Sequence, residues 1–462
     1  MTVMSPDSPS WGPVRIAIWA LAAVAVSVWL GPKLVRHFRP PEDRFMDFSQ
    51  EWLSAKNYWA GTPVYANQTE ALFRHTGQTP KRAGDMLPWN AHPPAATALT
   101  LPFGKLSYPD ALQLWNLLTF PLFLVSVGLV LRELGTHLRL WSVFPAIVLL
   151  LLFDPLYQQL AQGQLNFLLL FLITLAWVAD RHGRIGWAGV ALGLAAGLKL
   201  YPAFLFAYFL FGGRRRALLT GGIAFFAVNG LALALLGIAE FQTYIREVVP
   251  SLSNYRSSWE NLSVTGFWLR IFDPQPHEHV IPLVAKPLVA KVLVFASQVV
   301  ITMVVAWRAW SAKSVAARDG AFATAVAGMV LVSPIAWTHY FVLLVMPIGL
   351  VWQRLRDRPI RWVMVTAFVI LWLPGHYIVA LTLGYEQAFA RLQGRVPEPL
   401  TPGANLAVIS LATYALVALF VLVLLVPAGG DEDGDEPVRD GDGTGESDEE
   451  RLDRRLFGPP GG

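Results

Sequence analysis

The chain has 462 residues, 54% of them hydrophobic and only 15% charged, with 18 Trp, 27 Phe and no Cys. A soluble domain carries about 25% charged residues, and the apolar residues here arrive in blocks of membrane-spanning length, which excludes a string of soluble domains. Without Cys there are no disulfides, no thiolate chemistry and no Cys-ligated zinc or iron–sulfur centre.

The formal charge of +4 is a cancellation between two unlike regions. Residues 431–462 hold 12 Asp or Glu against 4 Arg, interleaved with Gly, Pro and Ser; this net of −8 leaves +12 on residues 1–430. Such an acidic, apolar-poor end cannot offset its ordering entropy, so 428–462 is expected to be a disordered tail. The basic excess lies in short connectors between apolar blocks, which points to membrane topology and not to nucleic acid.

After a short N-terminus (1–14), the block Ile16 to Leu30 ends at Gly31-Pro32-Lys33 without a small-residue cleavage pattern and reads as a retained anchor. Further blocks follow at 111–131, 142–160, 165–179, 187–211, 217–239, 288–307, 321–337, 340–353, 362–383 and 405–427. Five basic groups mark connectors: Arg132 with Arg139, Arg181 with Arg184, Arg214-Arg215-Arg216, Arg308 with Lys313 and Arg318, and Arg354 to Arg361. All five reach the cytoplasm only if 187–211 enters and leaves on one side. Its interruption at Lys199-Leu200-Tyr201-Pro202 allows that, because proline removes a donor and disfavours helix before it. The expectation is an all-α polytopic membrane protein of about twelve transmembrane or re-entrant helices spanning 15–427. Both termini would then be cytoplasmic in the plasma membrane.

The loops 33–110, 240–287 and 384–404 then face outward. In the first, Phe48, Trp52, Ala55 and Trp59 recur at helical spacing, and Gly61 and Pro63 follow, which predicts a short amphipathic helix lying in the lipid interface. Loop 240–287 carries Tyr244, Tyr255, Trp259, Phe267 and Trp268, again of interfacial character. No span carries a mid-membrane carboxylate, which weakens an ion-coupled lipid or solute transporter as the alternative. A non-catalytic subunit of an envelope-polysaccharide assembly is a further alternative.

Five polar segments converge on the outer boundary: Met46 to Trp52, His92-Pro93-Pro94, Gly163-Gln164-Leu165-Asn166 beside Asp154-Pro155, Lys199 to Pro202, and Ser333 to Tyr340. A carboxylate, cations and aromatics there suit transfer from a lipid-linked sugar to a surface hydroxyl. Asp47 is the candidate general base. Lys199, His339 and Arg256 are candidates to hold the departing phosphate. Glu51, His92, Gln164, Asn166 and Tyr340 are candidates for substrate contact.

Each has a structural alternative. Asp47 followed three residues later by Gln50 is also an N-cap with a capping-box partner. Glu51 could share the base role or lie on a solvated face. Lys199 could snorkel to the interface, and His339 could be a hydrogen-bonded structural residue. Gln164 and Asn166 could satisfy freed backbone groups, and a Pro-Pro corner could explain His92.

The order of these segments, with Gly61-Thr62-Pro63-Val64-Tyr65, resembles glycosyltransferase family 87 over roughly residues 15–427. The resemblance implies a GT-C fold and an inverting membrane transferase using a polyprenyl phosphate sugar, mannose foremost. Its acceptor would be a glycolipid or glycan on the external face, and membrane lipids its surroundings. It further implies Asp47 as base, His339 near the donor phosphate, and no metal or other cofactor. His92 departs from the aromatic residue expected before the two prolines.

Overall fold

The computed structural model describes residues 12–38, 40, 45–80, 88–136, 142–373, 375–384, 386, 390 and 398–427. The chain divides into the units Met1–Ala428 and Gly429–Gly462. The expected acidic tail, the first eleven residues, Arg139 and most of loop 384–404 lie outside the described residues.

Among the described residues every regular element is helical, as the apolar blocks require. Five helices are long and apolar enough to cross a membrane: Gly12–Phe38, Tyr108–Glu133, Arg215–Leu236, Pro287–Ser311 and Val315–Val332. Two bent pairs, Val143–Leu152 with Asp154–Gln162 and Pro402–Ile409 with Leu411–Leu424, raise this to seven. Ile185–Leu198, Tyr201–Phe211 and Arg361–Trp372 are apolar but shorter. On length and apolarity, up to seven of the expected twelve passages are met among the described residues. Large apolar side chains such as Trp29, Phe226, Leu288, Phe295 and Trp310 are exposed, the outward pattern of a protein solvated by lipid.

The break at Lys199 is real. The helix Ile185–Leu198 stops where Lys199 turns extended, and a short 3₁₀ turn Tyr201–Leu205 leads into Phe206–Phe211. The pairings of the flanking helices give the direction of travel. A Cβ on Gly186 would meet Arg216, one on Gly189 would meet Ala217, one on Gly193 would meet Gly221, and one on Gly197 would meet Val228. Both partners advance together, so Ile185–Leu198 and Arg215–Leu236 run parallel. The segment between them must therefore return to the level where it began. Tyr208 confirms the descent: its hydroxyl donates to Asp180 at 2.7 Å, beside the Arg214–Asp180 ion pair.

The helix Phe48–Trp59 forms as expected, but nine of its twelve residues are buried. It is enclosed by the rest of the loop and does not lie flat on a surface. The polar side meets protein: Asn90 donates to Ser54 at 3.1 Å, Ala91 N donates to Gln50 at 2.8 Å, and Asn57 pairs with His75 at 2.8 Å. The aromatics of loop 240–287 also pack inward, Trp268 donating to Ser297 and Tyr244 lying against Tyr65.

Candidate active site

Asp47 precedes the helix Phe48–Trp59 at its N-cap position, yet its side chain makes no capping bond. Gln50 does not complete a capping box either, since its Oε1 is taken by Ala91 N. Instead Asp47 Oδ2 accepts from Gln164 Nε2 at 2.7 Å, while Oδ1 receives no hydrogen bond among the described residues. The capping alternative is thereby corrected: the carboxylate is turned away from the helix it precedes.

Gln164 is placed by the residue before it. Gly163 ends the helix Asp154–Gln162 with φ 63°, a left-handed cap that glycine adopts without strain. A Cβ there would collide with Leu112 and Phe48, so the turn closes directly on the start of the Asp47 helix. Gln164 Oε1 then accepts from Lys199 Nζ at 2.9 Å and lies 3.3 Å from His92 Nε2. His92 Nδ1 pairs with Glu51 Oε1, and both side chains are buried. Glu51 is therefore not on a solvated face.

Lys199 does not snorkel away from this cluster. Its ammonium lies 5.1 Å from the Tyr340 ring centroid and 5.9 Å from that of Tyr201, which stack at 4.9 Å. Asn166 is a brace: it accepts from Tyr201 Oη at 2.8 Å and donates to the His339 carbonyl at 3.2 Å. His339 is buried, and its Nε2 has no hydrogen-bond partner among the described residues. Asp47, Lys199 and His339 are thus linked through Gln164, Tyr340, Tyr201 and Asn166. Arg256 is the exception. It is exposed, and no ion pair or hydrogen bond joins its side chain to the cluster among the described residues.

Burial pushes the Asp47 carboxyl above the ordinary aspartate range. The Gln164 hydrogen bond and the charges of His92 and Lys199 oppose that rise, whereas Glu51 adds to it. A base with a raised affinity for protons in a partly open site is suited to deprotonating a hydroxyl.

Three residues here were not singled out in the sequence. Glu260 is exposed in loop 240–287, and its carboxyl is raised to about 7 by the protein around it, with the charges of Glu278 and Asp47 adding to the rise. Asn261 ties this loop to the late turn, donating to the Pro334 carbonyl at 2.9 Å and accepting from Ala336 N at 2.9 Å. Arg270 is fully buried and bonds to Asn405, Ser258 and Asn261. A lone Arg inside the apolar run Val264–Phe272 was the available signal for it.

An apolar cavity of about 2160 Å³ is lined by Trp29, Phe123, Leu149, Phe153, Phe368 and Trp372 among others. Met46, next to Asp47, and Phe341, next to Tyr340, also line it, and Lys33, Arg36 and Asp154 supply its polar wall. It exceeds the roughly 300–1,000 Å³ of ordinary small-molecule pockets.

A helical membrane-spanning fold with a partly open carboxylate–cation cluster and a large apolar cavity has the features of a membrane enzyme. The family model for glycosyltransferase family 87 matches residues 90–334. A polyprenol-phosphate-mannose-dependent alpha-(1-2)-phosphatidylinositol mannoside mannosyltransferase of Mycobacterium tuberculosis is 27% identical over 383 residues, 77% of this chain and 81% of that protein. The pentamannoside mannosyltransferase of the same species is 25% identical, covering 71% of this chain and 72% of its own. A phosphatidylinositol mannoside mannosyltransferase of Mycolicibacterium smegmatis is 30% identical over 49% of this chain and 51% of its own. No solved structure matches. The chain belongs to glycosyltransferase family 87 and is a multi-pass membrane glycosyltransferase.

Proposed function

We propose that this enzyme transfers mannose from polyprenyl phosphate mannose to a hydroxyl of a phosphatidylinositol mannoside-type glycolipid at the outer face of the plasma membrane. The observation that carries the reading is the Asp47–Gln164–Lys199 cluster, whose chain neighbours Met46 and Phe341, beside Asp47 and Tyr340, line the apolar cavity. The relatives' donor and acceptors are both amphiphiles with polar heads, and a polar cluster with an apolar cavity lined by its chain neighbours suits head and tail together.

The donor chain occupies the cavity and its phosphate approaches Lys199 and the unpartnered Nε2 of His339. The acceptor hydroxyl gives its proton to Asp47 Oδ1, the oxygen that Gln164 leaves free. The acceptor oxygen forms a bond to the anomeric carbon as the bond from that carbon to the phosphate oxygen breaks. The electron pair leaves on the phosphate, and one displacement inverts the centre. Lys199 answers the charge gained by the phosphate, so the proposed step uses no metal.

The decisive variant is Asp47→Asn, which keeps an oxygen for Gln164 but cannot take a proton. Turnover, read as polyprenyl phosphate release and mannosylated product by mass spectrometry, is expected to fall about 10²- to 10⁴-fold. Normal turnover in a folded Asp47→Asn enzyme would sink the assignment.

A further inference from the structure

Glu51, His92 and Gln164 share substrate-facing residue types, but their contacts assign them other work. Building on Asp47 as the base, we infer that these three form an internally neutral positioning unit that aims Asp47, without touching sugar.

The proton positions follow from the partners. Lys199 has only donors to offer, so the Gln164 atom 2.9 Å from its Nζ must be the amide oxygen. The amide nitrogen then faces Asp47 Oδ2 at 2.7 Å, which fixes the flip of the side chain. Because that same oxygen faces His92, the ring nitrogen Nε2 must carry a hydrogen. The other ring nitrogen meets the Glu51 carboxyl, and a contact between them needs a proton as well. Whether it rides on the ring or on the carboxyl, the Glu51–His92 pair holds it and is neutral as a whole.

The pair is also anchored from behind. Tyr65 Oη donates to the His92 carbonyl at 2.7 Å, and His92 N donates to Asn90 Oδ1 at 3.0 Å. Glu51 and His92 are 3% and 5% exposed, whereas Asp47 and Lys199 are partly open. A sugar reaching Glu51 would have to displace the His92 ring, which faces the Gln164 amide that aims the base. The charged or titratable groups around Asp47 are Glu51, His92, Lys199, Tyr255, Glu260 and Tyr340. Of the carboxyls among them, Glu51 alone is paired with a ring within the unit.

Neutrality gives the test. In His92→Gln the Glu51 carboxylate loses its proton-sharing partner and adds an uncompensated negative charge behind Asp47. Assayed above neutrality, kcat is expected to fall at least about tenfold while KM for polyprenyl phosphate mannose stays within about twofold. Adding Glu51→Gln to that variant removes the charge and should recover at least about tenfold in kcat. A sugar-contact role predicts the opposite: a change in KM, and a double variant no better than the single. Should His92→Gln fail to fold in detergent, Glu51→Ala against Glu51→Gln decides, the amide recovering most of the kcat that alanine loses. An amide as poor as alanine overturns the inference. The activity of Asp47→Asn judges the base separately, so full turnover in that enzyme and an unrescued double variant are distinct failures.

Discussion

At Lys199 one backbone break sets both the position and the surroundings of a charge. The residue leaves the helix in an extended conformation, φ −151° and ψ 134°, and this directs its ammonium to Gln164 between two tyrosine rings. Lys199→Met keeps the length and removes the cation. Preorganised donors aimed at developing charge are worth about 10²–10³ in kcat, and a loss of that order is expected. The pH dependence carries a sign. As the proposed base, Asp47 works ionised, so activity is expected to fall as pH drops through its pKa, which burial raises and Lys199 pulls down. Without Lys199 the acid limb of kcat/KM should move to higher pH; an unmoved limb would detach Lys199 from the base. His339 and Lys199 were both legible in the sequence as cations or polar groups in aromatic turns. Gln164 was legible as a candidate for substrate contact, but not as the hub that joins Lys199 to Asp47 and His92. Gln164 meets residues 117, 72 and 35 positions away, and no local pattern encodes such pairings.

The element that brings Lys199 to the site is the broken pair Ile185–Leu198 and Tyr201–Phe211, held against Arg215–Leu236 by small residues. Gly189, Gly193 and Gly197 recur every four residues on one face, so the backbones approach where no side chain fits. Gly193→Leu would drive a side chain into the Gly221 backbone. Overpacking typically costs about 1–3 kcal/mol, and the detergent-solubilised variant should unfold at lower temperature with most of its activity lost. A variant with unchanged melting and turnover would mean that the pair is not packed this way. The break itself was readable, because Pro202 and the demand for one-sided basic connectors pointed to the same place. The helix Phe48–Trp59 was readable as a helix but not in its burial. An apolar stripe reports one face only, and here the polar face is covered too, by Asn90, Ala91, His92 and His75. Asp47 looked like a cap because capping is judged from neighbours in sequence, whereas its actual partner comes from a distant turn.

At the scale of the membrane unit, the described basic connectors meet at the ends of Asn166–Arg181 and Ile185–Leu198 remote from Gln164 and Lys199. Arg181 pairs with Glu133 at 3.3 Å and with Asp319, Arg214 pairs with Asp180 at 2.5 Å, and Gln353 donates to the Leu134 carbonyl. Arg308 reaches Gly320, and Arg216 reaches Gly186. Groups far apart in sequence therefore share one face. Positive connectors are retained in the cytoplasm, so this face is expected inside and the Asp47 cluster outside. The absence of Cys makes that orientation unusually direct to measure, since any introduced thiol is the only one in the chain. Asn254 is exposed in loop 240–287, and Lys313 is exposed in the connector between Pro287–Ser311 and Val315–Val332. Asn254→Cys should react with a membrane-impermeant maleimide on intact cells. Lys313→Cys should react only after permeabilisation. The reverse pattern would place the cluster inside, where a donor and acceptor on the outer face could not reach Asp47, and the proposed outer-face reaction would have to be abandoned.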